Sequence, residues 1–165
     1  MRIRAGVLTL SDRSSRGEYQ DRSGPAVREG LNALDIEWLR AEVLPDEADL
    51  ISEKLRQWCD ADGLDLIVTT GGTGPAPRDR TPEATRAVLD FEIPGIPEAM
   101  RAAVRERVPT SVLTRGVAGV RGNTVIINLP GSPRAVSESV EVLLTFLEHL
   151  IDKVRGDPGE CGTHR

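Results

Sequence analysis

The chain has 165 residues, a length typical of one domain with a substantial hydrophobic core. Its 21 Lys and Arg residues and 26 Asp and Glu residues give a formal net charge of −5. Because there is no basic cluster, this balance argues against a protein that binds the backbone of nucleic acids. No apolar run approaches the ~20 residues of a membrane-spanning helix, and no signal-peptide pattern precedes the first predicted strand.

Lysine and cysteine are both scarce, and their positions argue against two common kinds of site. Lys54 and Lys153 are the only lysines and neither follows a glycine-rich loop, so the chain has no P-loop for nucleoside triphosphates. Cys59 and Cys161 are isolated, with no cysteine or histidine at zinc-ligand spacing. We interpret them as a buried helix cysteine and a tail cysteine of a protein in the reducing cytoplasm.

Apolar runs alternate along the chain with amphipathic helical patterns, which predicts an α/β domain with a largely parallel sheet. We expect this domain over residues 1–155 and a polar tail over 156–165. In chain order, strands are predicted at 3–10, 37–44, 64–70, 112–118 and 124–129. Helices are predicted at 25–34, 47–58, from Thr81 as N-cap onward, and at 96–108 and 135–154.

Polar segments follow three of the predicted strands: 11–13 (SDR), 71–74 (GGTG) and 130–132 (PGS). In open parallel sheets, ligands bind beyond the carboxyl ends of the strands, so the three segments predict one ligand-binding rim. Glycine N–H groups and the Thr73 hydroxyl suit a bound phosphate. A tight turn without a ligand explains GGTG equally well.

The segment after GGTG has two readings. Arg78 and Arg80 have the side chains to hold phosphates, and Asp79 has the oxygen ligands that Mg²⁺ prefers. Alternatively, Asp79 pairs with its arginine neighbours on the surface.

Two further residues are also ambiguous. Asp46 lies at the mouth of a strand, yet helix capping explains it completely, since Asp49 follows three positions later. Tyr19 either covers a ligand or only holds its own loop in place.

Four motifs, in this order and spacing, carry a resemblance to a known family. They are LTLSDRSSRGEYQDRSGP, LPDE, TTGGTGPAPRDRTPEAT and IINLPGSPRAV. Together they resemble the MogA/MoaB family of molybdenum-cofactor biosynthesis, over about residues 2–154. The SDR and GEYQD elements look more like the MogA branch, the molybdopterin adenylyltransferases.

The resemblance implies a three-layer α/β/α sandwich, a homotrimer and a reaction. In that reaction Mg-ATP and molybdopterin give adenylyl-molybdopterin and pyrophosphate. It also assigns Asp46 and Asp79 as catalytic residues and Mg²⁺ ligands. The substrate and phosphate contacts that it implies are Ser11, Asp12, Gly71, Gly72, Thr73, Gly74, Arg78, Thr81, Pro82, Glu83, Asn128, Pro130, Gly131 and Ser132.

Two other functions are compatible with the resemblance. A MoaB-type protein would bind molybdopterin without catalysis. A MoeA-type protein would insert molybdate, but this chain lacks extra domains around the shared one. We therefore expect a cytoplasmic adenylyltransferase with small-molecule substrates, with possible hand-off of its product to a MoeA-like protein, and without nucleic-acid or membrane partners.

Overall fold

A computed structural model describes residues 2–159 and contains a six-stranded sheet. Its strands are β1 Ile3–Leu10, β2 Ile36–Leu44, β3 Leu66–Thr70, β4 Phe91–Glu92, β5 Ala118–Arg121 and β6 Thr124–Leu129. The α-helices are α1 Asp12–Ser15, α2 Ser23–Gly30, α3 Ala48–Arg56, α4 Thr81–Arg86, α5 Gly95–Val104, α6 Pro133–Leu143 and α7 Leu147–Val154. Short 3₁₀ turns cover Leu31–Ala33 and Pro109–Leu113, and a π-helical turn covers Gln57–Ala61.

The strand order is β2-β1-β3-β6-β5-β4, with β2, β1, β3 and β6 mutually parallel. Strand β5 runs antiparallel to both of its neighbours, β6 and β4. Helices cover both faces, so the fold is the expected three-layer α/β/α sandwich. One hydrophobic cluster lies under α2, α5, α6 and α7, and the other lies under α3 and α4.

The core is aliphatic, as the 3% aromatic content requires. Central strands β3 and β6 are buried at every position, which matches their continuous apolar runs. Trp58 is the largest fully buried side chain and packs with α3 and α4. Among residues 2–159, no helix is both long and apolar enough to cross a membrane.

The register aligns the carboxyl ends of the parallel strands. Thr9 of β1 lies opposite Thr70 of β3, and Thr70 lies opposite Leu129 of β6. The chain enters α2 on one face of the sheet after β1, and α4 on the other face after β3. A crevice therefore opens between the ends of β1 and β3, the position where ligands bind in such folds.

Two predicted elements are wrong. The predicted strand at 112–118 is instead the Pro109–Leu113 turn and a loop, and β5 begins only at Ala118. The predicted helix at 135–154 is two helices, α6 and α7. The Thr145 hydroxyl donates to the Val142 carbonyl at 2.7 Å, a local bond that competes with helical pairing at the break.

Several boundaries also differ. Helix α2 begins at Ser23 and gives way to a 3₁₀ turn at Leu31, and β3 begins at Leu66. Helix α5 ends at Val104, four residues before the predicted end, because the chain turns ahead of Pro109. Strand β4 was not predicted. Cys161 and most of the predicted tail lie outside the described residues.

Candidate functional site

A cavity of about 460 Å³ opens at the ends of β1 and β3. It brings together residues from all three predicted rim segments. The predicted site residues that line it are Ser11, Asp46, Gly71, Gly72, Asp79, Gly131 and Ser132.

Gly71 and Gly72 form the floor of the cavity, at positions that disfavour any side chain. Both have positive φ angles, +96° and +64°. A Cβ atom at Gly71 would collide with the Leu10 carbonyl oxygen, and one at Gly72 would lie 2.9 Å from Asp46 Oδ1. The Gly71 N–H already donates to the Leu129 carbonyl, so it is not free for a phosphate.

Asp46 is the most unusual side chain of the cavity. Its Oδ2 accepts the Asp12 N–H at 3.0 Å, and its own N–H donates to Asp12 Oδ1 at 3.0 Å. Its Oδ1 is buried and has no hydrogen-bond partner. Capping is therefore the wrong explanation for Asp46, since α3 is preceded by Glu47 and has no side-chain cap.

The environment raises the pKa of Asp46. Burial is the main cause, and the charges of Asp12 and Asp79 act in the same direction, against the stabilising Asp12 N–H. The carboxylate therefore lies in a place that disfavours its negative charge. A cation at Oδ1 would relieve both the repulsion and the missing contact.

Asp79 lies across the cavity on the loop between Gly74 and α4. Its Oδ2 accepts the Ala76 N–H at 3.0 Å, a bond that shapes the loop. Its neighbour Arg78 pairs elsewhere, with both carboxylate oxygens of Asp12 (2.8 and 3.0 Å) and with Glu47 (2.9 Å). The Asp12 pKa is lowered chiefly by this bond from Arg78.

Arg115 holds the same loop from the opposite side, although no sequence motif predicted it. Its guanidinium donates to the carbonyls of Gly74 and Asp79, each at 2.9 Å, and pairs with Glu83. The bond from Arg115 is the main reason that the Glu83 pKa is lowered. No local signal reveals Arg115, because its partners lie 32 to 41 residues away.

The other predicted residues shape the site from behind. The Thr81 hydroxyl donates to the Gly71 carbonyl at 2.9 Å, so Thr81 does not cap α4 as predicted, and Pro82 is buried in the first turn. Thr73 is buried, and its hydroxyl accepts a 3.5 Å hydrogen bond from the Thr114 hydroxyl. Asn128 is buried, and its amide bonds Thr69, Thr85 and the Val117 N–H.

A second cavity of about 190 Å³ lies between α5, α6 and the Pro109–Leu113 turn. Its walls are mainly apolar, with Met100 and Val104 among them, and Ser111 carries a buried hydroxyl without a partner. Asn128 and Pro130 border this cavity and not the first one. The segment 130–135 therefore separates two cavities.

Thr9 and Asp21 are two further residues of the site that were not predicted from the sequence. Asp21 accepts the Thr9 hydroxyl at 2.9 Å and the Gly24 N–H at 3.0 Å, which fastens the loop before α2 to the end of β1. Both residues line the first cavity. The motif GEYQDRSGP was the available signal, because it places a carboxylate directly before a helix.

Residues 6–149 match the protein family described as a probable molybdopterin binding domain. The chain belongs to this family. A protein of Helicobacter pylori strain J99 named molybdopterin adenylyltransferase is 44% identical over 160 residues, covering 94% of this chain and 89% of that protein. The Escherichia coli K12 protein of the same name is 44% identical over 141 residues, covering 84% and 72%.

The fold of this molybdopterin-binding-domain protein matches solved structures of the family. The crystal structure of the molybdopterin biosynthesis enzyme MoaB from Thermus thermophilus superposes with a TM-score of 0.90. It is 51% identical and the match covers 96% of this chain and 99% of that one. Both the family and the fold expected from the sequence motifs are therefore confirmed.

Proposed function

We propose that this protein is a molybdopterin adenylyltransferase, which transfers AMP from ATP to the terminal phosphate of molybdopterin and releases pyrophosphate. The relatives at 44% identity carry that name. The observation that carries the proposal is the unpartnered buried oxygen of Asp46, facing a glycine floor and Asp79 in one cavity. Two cavities on either side of segment 130–135 offer separate places for two substrates.

Mg²⁺ fits the donor set at Asp46. Among residues 2–159 no cluster of three His, Cys, Asp or Glu side chains forms a complete metal site. Mg²⁺ does not need one, because it commonly binds through one or two carboxylates together with substrate phosphates and water. Asp46 and Asp79 would hold it, and when bound it would supply charge neutralisation on the triphosphate.

The residues of the chain contribute positioning. In phosphoryl transfer the attacking and leaving oxygens must lie in line, and there is little covalent chemistry for the protein to perform. The two hydrogen bonds between Asp12 and Asp46 fix the Asp46 carboxylate. The contacts of Arg78 and Arg115 fix the loop that carries the Asp79 carboxylate. Arg78 accordingly acts as a loop anchor in this arrangement, whereas the family resemblance implies a phosphate ligand.

Asp79→Asn tests the function. The amide keeps an acceptor for the Ala76 N–H, so we expect the melting temperature to stay within a few degrees. Loss of the charge should lower kcat at least ~100-fold, which corresponds to about 2.7 kcal/mol. Pyrophosphate release from Mg-ATP and molybdopterin measures this, with Asp49→Asn on α3, outside both cavities, as the matched control. Normal turnover in Asp79→Asn would contradict the role.

The alternative left open by the sequence is a MoaB-type protein that binds molybdopterin without catalysis, although the MoaB structure at 51% identity is itself described as an enzyme. Tight molybdopterin binding without pyrophosphate release would identify it.

We also infer a homotrimer, a cytoplasmic location and hand-off of the product to a MoeA-like protein. Exposed Phe91, Val112 and Leu113 are apolar side chains available for contacts between subunits.

A further inference from the structure

Tyr19 lies at the edge of the site cavity, on the loop between α1 and α2. It lines the cavity together with Asp46, Gly72 and Ser132, and 49% of its surface remains exposed. An aromatic side chain offers a flat face on which the ring of a ligand can stack.

Aromatic side chains are otherwise absent from this region. Trp58 is buried in the cluster under α3 and α4, whereas Trp38 and Phe146 pack against the cluster on the other face of the sheet. Phe91 is exposed on the edge strand β4. None of these four lines either of the two cavities beside segment 130–135. Within residues 2–159, Tyr19 is therefore the single aromatic side chain at the site.

The ring is held in a defined place. The Arg13 guanidinium lies over the Tyr19 ring, 5.1 Å from its centroid, which is a cation–π contact that covers one face. The loop itself is fastened by the Glu18 N–H, which donates to the Arg13 carbonyl at 3.0 Å. Asp21 anchors the other end to Thr9 and α2. Because the ring is already ordered, stacking on it costs little conformational entropy.

We propose that Tyr19 stacks on the planar heteroaromatic ring of a substrate and thereby binds and orients that substrate. The inference rests on the proposed function, since the nucleobase of ATP and the pterin of molybdopterin are both flat heterocycles. Stacking is tolerant of ring identity, because every such ring has a π-face. The other cavity has no aromatic wall, so the two substrates meet different surroundings.

Steady-state kinetics test the stacking with paired variants. Tyr19→Leu keeps apolar bulk but removes the π-face, and should raise one substrate's KM about 10-fold with kcat within about twofold. Tyr19→Phe keeps the ring and should retain the wild-type KM. Leu50→Ala on α3 is the control, since Leu50 has a similar exposure of 45% and lies outside both cavities.

The substrate whose KM rises identifies the ring: ATP indicates the nucleobase, and molybdopterin indicates the pterin. Unchanged KM values for both substrates in an active Tyr19→Leu enzyme would overturn the proposal. So would a Tyr19→Phe enzyme as impaired as Tyr19→Leu, because the hydroxyl and not the ring would then be responsible.

A spectroscopic experiment separates this proposal from the proposed function. Tyr19 is the only tyrosine in the chain, so incorporation of 3-fluorotyrosine yields a single ¹⁹F resonance. We expect α,β-methylene-ATP or molybdopterin to shift this resonance, and tripolyphosphate, which has no ring, to leave it in place. If calorimetry shows that both ring ligands bind without a shift, stacking is wrong even though binding stands. If the wild type releases no pyrophosphate yet a ring ligand shifts the resonance, catalysis is wrong and stacking stands.

Discussion

At the scale of single residues, Asp46 is costly for the stability of the fold, and we propose that it acts in catalysis. Its carboxylate is partly buried, one oxygen lacks a partner, and the nearby charges of Asp12 and Asp79 oppose its ionisation. Groups of this kind reduce stability and persist where function requires them. Gly72 belongs to the same arrangement, since a Cβ atom there would crowd Asp46 Oδ1.

Asp46→Asn should therefore stabilise the fold while abolishing activity. The amide still accepts the Asp12 N–H but carries no charge, so we expect the free energy of unfolding at pH 7 to rise by about 1 kcal/mol. Pyrophosphate release should fall at least ~100-fold. Urea denaturation and the turnover assay measure the two effects. Asp49→Asn, in the first turn of α3, should leave turnover unchanged and should not raise stability.

The pH dependence of this gain has a definite sign. The folded-state pKa of Asp46 is raised above the value of about 3.9 expected for an unfolded chain. The protonated Asp46 side chain therefore contributes its full stability below pH ~4. This contribution is lost as the pH rises through the folded-state pKa. The advantage of Asp46→Asn should vanish near pH 4 and be full at pH 7; an equal advantage at both values would contradict the assignment.

At the scale of elements, the loop between β3 and α4 is held by its own Arg78 and by Arg115 from a distant part of the chain. Arg78 reaches from the loop to Asp12 and Glu47, and Arg115 reaches into the loop from the segment before β5. The Arg78 side chain is 57% exposed, so its ion pairs add little stability in water. Arg115 makes part-buried bonds to backbone carbonyls and is the stronger anchor.

Arg115→Gln should loosen this loop and displace Asp79. We expect kcat to fall about 10-fold, or about 1.4 kcal/mol of transition-state stabilisation. Added guanidinium ion should restore part of the turnover, because it can occupy the position of the missing group.

Arg121→Gln is the matched control for Arg115→Gln, since Arg121 likewise pairs with a carboxylate (Asp60) and donates to a carbonyl (Val88). Both variants should lose about 1–2 kcal/mol of stability, but only Arg115→Gln should lose turnover. Equal turnover in the two variants would show that Arg115 is purely structural.

At the scale of the whole molecule, Asp65 joins three distant segments at the amino edge of the sheet. It accepts the Arg4 N–H of β1 at 2.8 Å and two bonds from Arg155, which follows α7, at 2.6 and 3.1 Å. Burial tends to raise the Asp65 pKa, but the bonds from Arg155 and Arg4 outweigh it and hold the pKa below its ordinary value. The carboxylate therefore fastens α7 to the sheet.

Asp65→Asn should lower the free energy of unfolding by about 1–3 kcal/mol at pH 7 without changing KM. Because the folded-state pKa of Asp65 is lowered, the stability that its carboxylate contributes is fully present above pH ~4. This contribution is lost as the pH falls through the folded-state pKa. The gap between wild type and variant should thus narrow in acid. The gap for Asp46→Asn also narrows in acid but has the opposite sign, because at pH 7 that variant is more stable than the wild type and Asp65→Asn is less stable. Glu18→Gln, which breaks an exposed pair with Arg16, should leave the melting temperature unchanged. A gap that stays constant with pH would contradict the role of Asp65.

Much of this architecture follows from local pattern. The continuous apolar runs of β3 and β6 predict central strands, and the glycines and polar residues that follow them predict the rim where Gly71 and Gly131 meet. The wrong prediction of a strand at residues 112–118 has one local cause and one long-range cause. Residues 112–118 have the apolar content of a strand, yet Pro109 starts a 3₁₀ turn, and the Arg115 N–H is bonded to Thr73 instead of a neighbouring strand.

The sequence by itself determined the layered fold, the family and the segments that form the rim, because each depends on short-range periodicity or on contiguous motifs. Only the tertiary structure decided which charged groups at that rim are already paired. Arg78 is occupied by Asp12 and Glu47, whereas Asp46 keeps one buried oxygen without a partner. These contacts join residues 31 to 66 positions apart, so no local pattern in the chain specifies them.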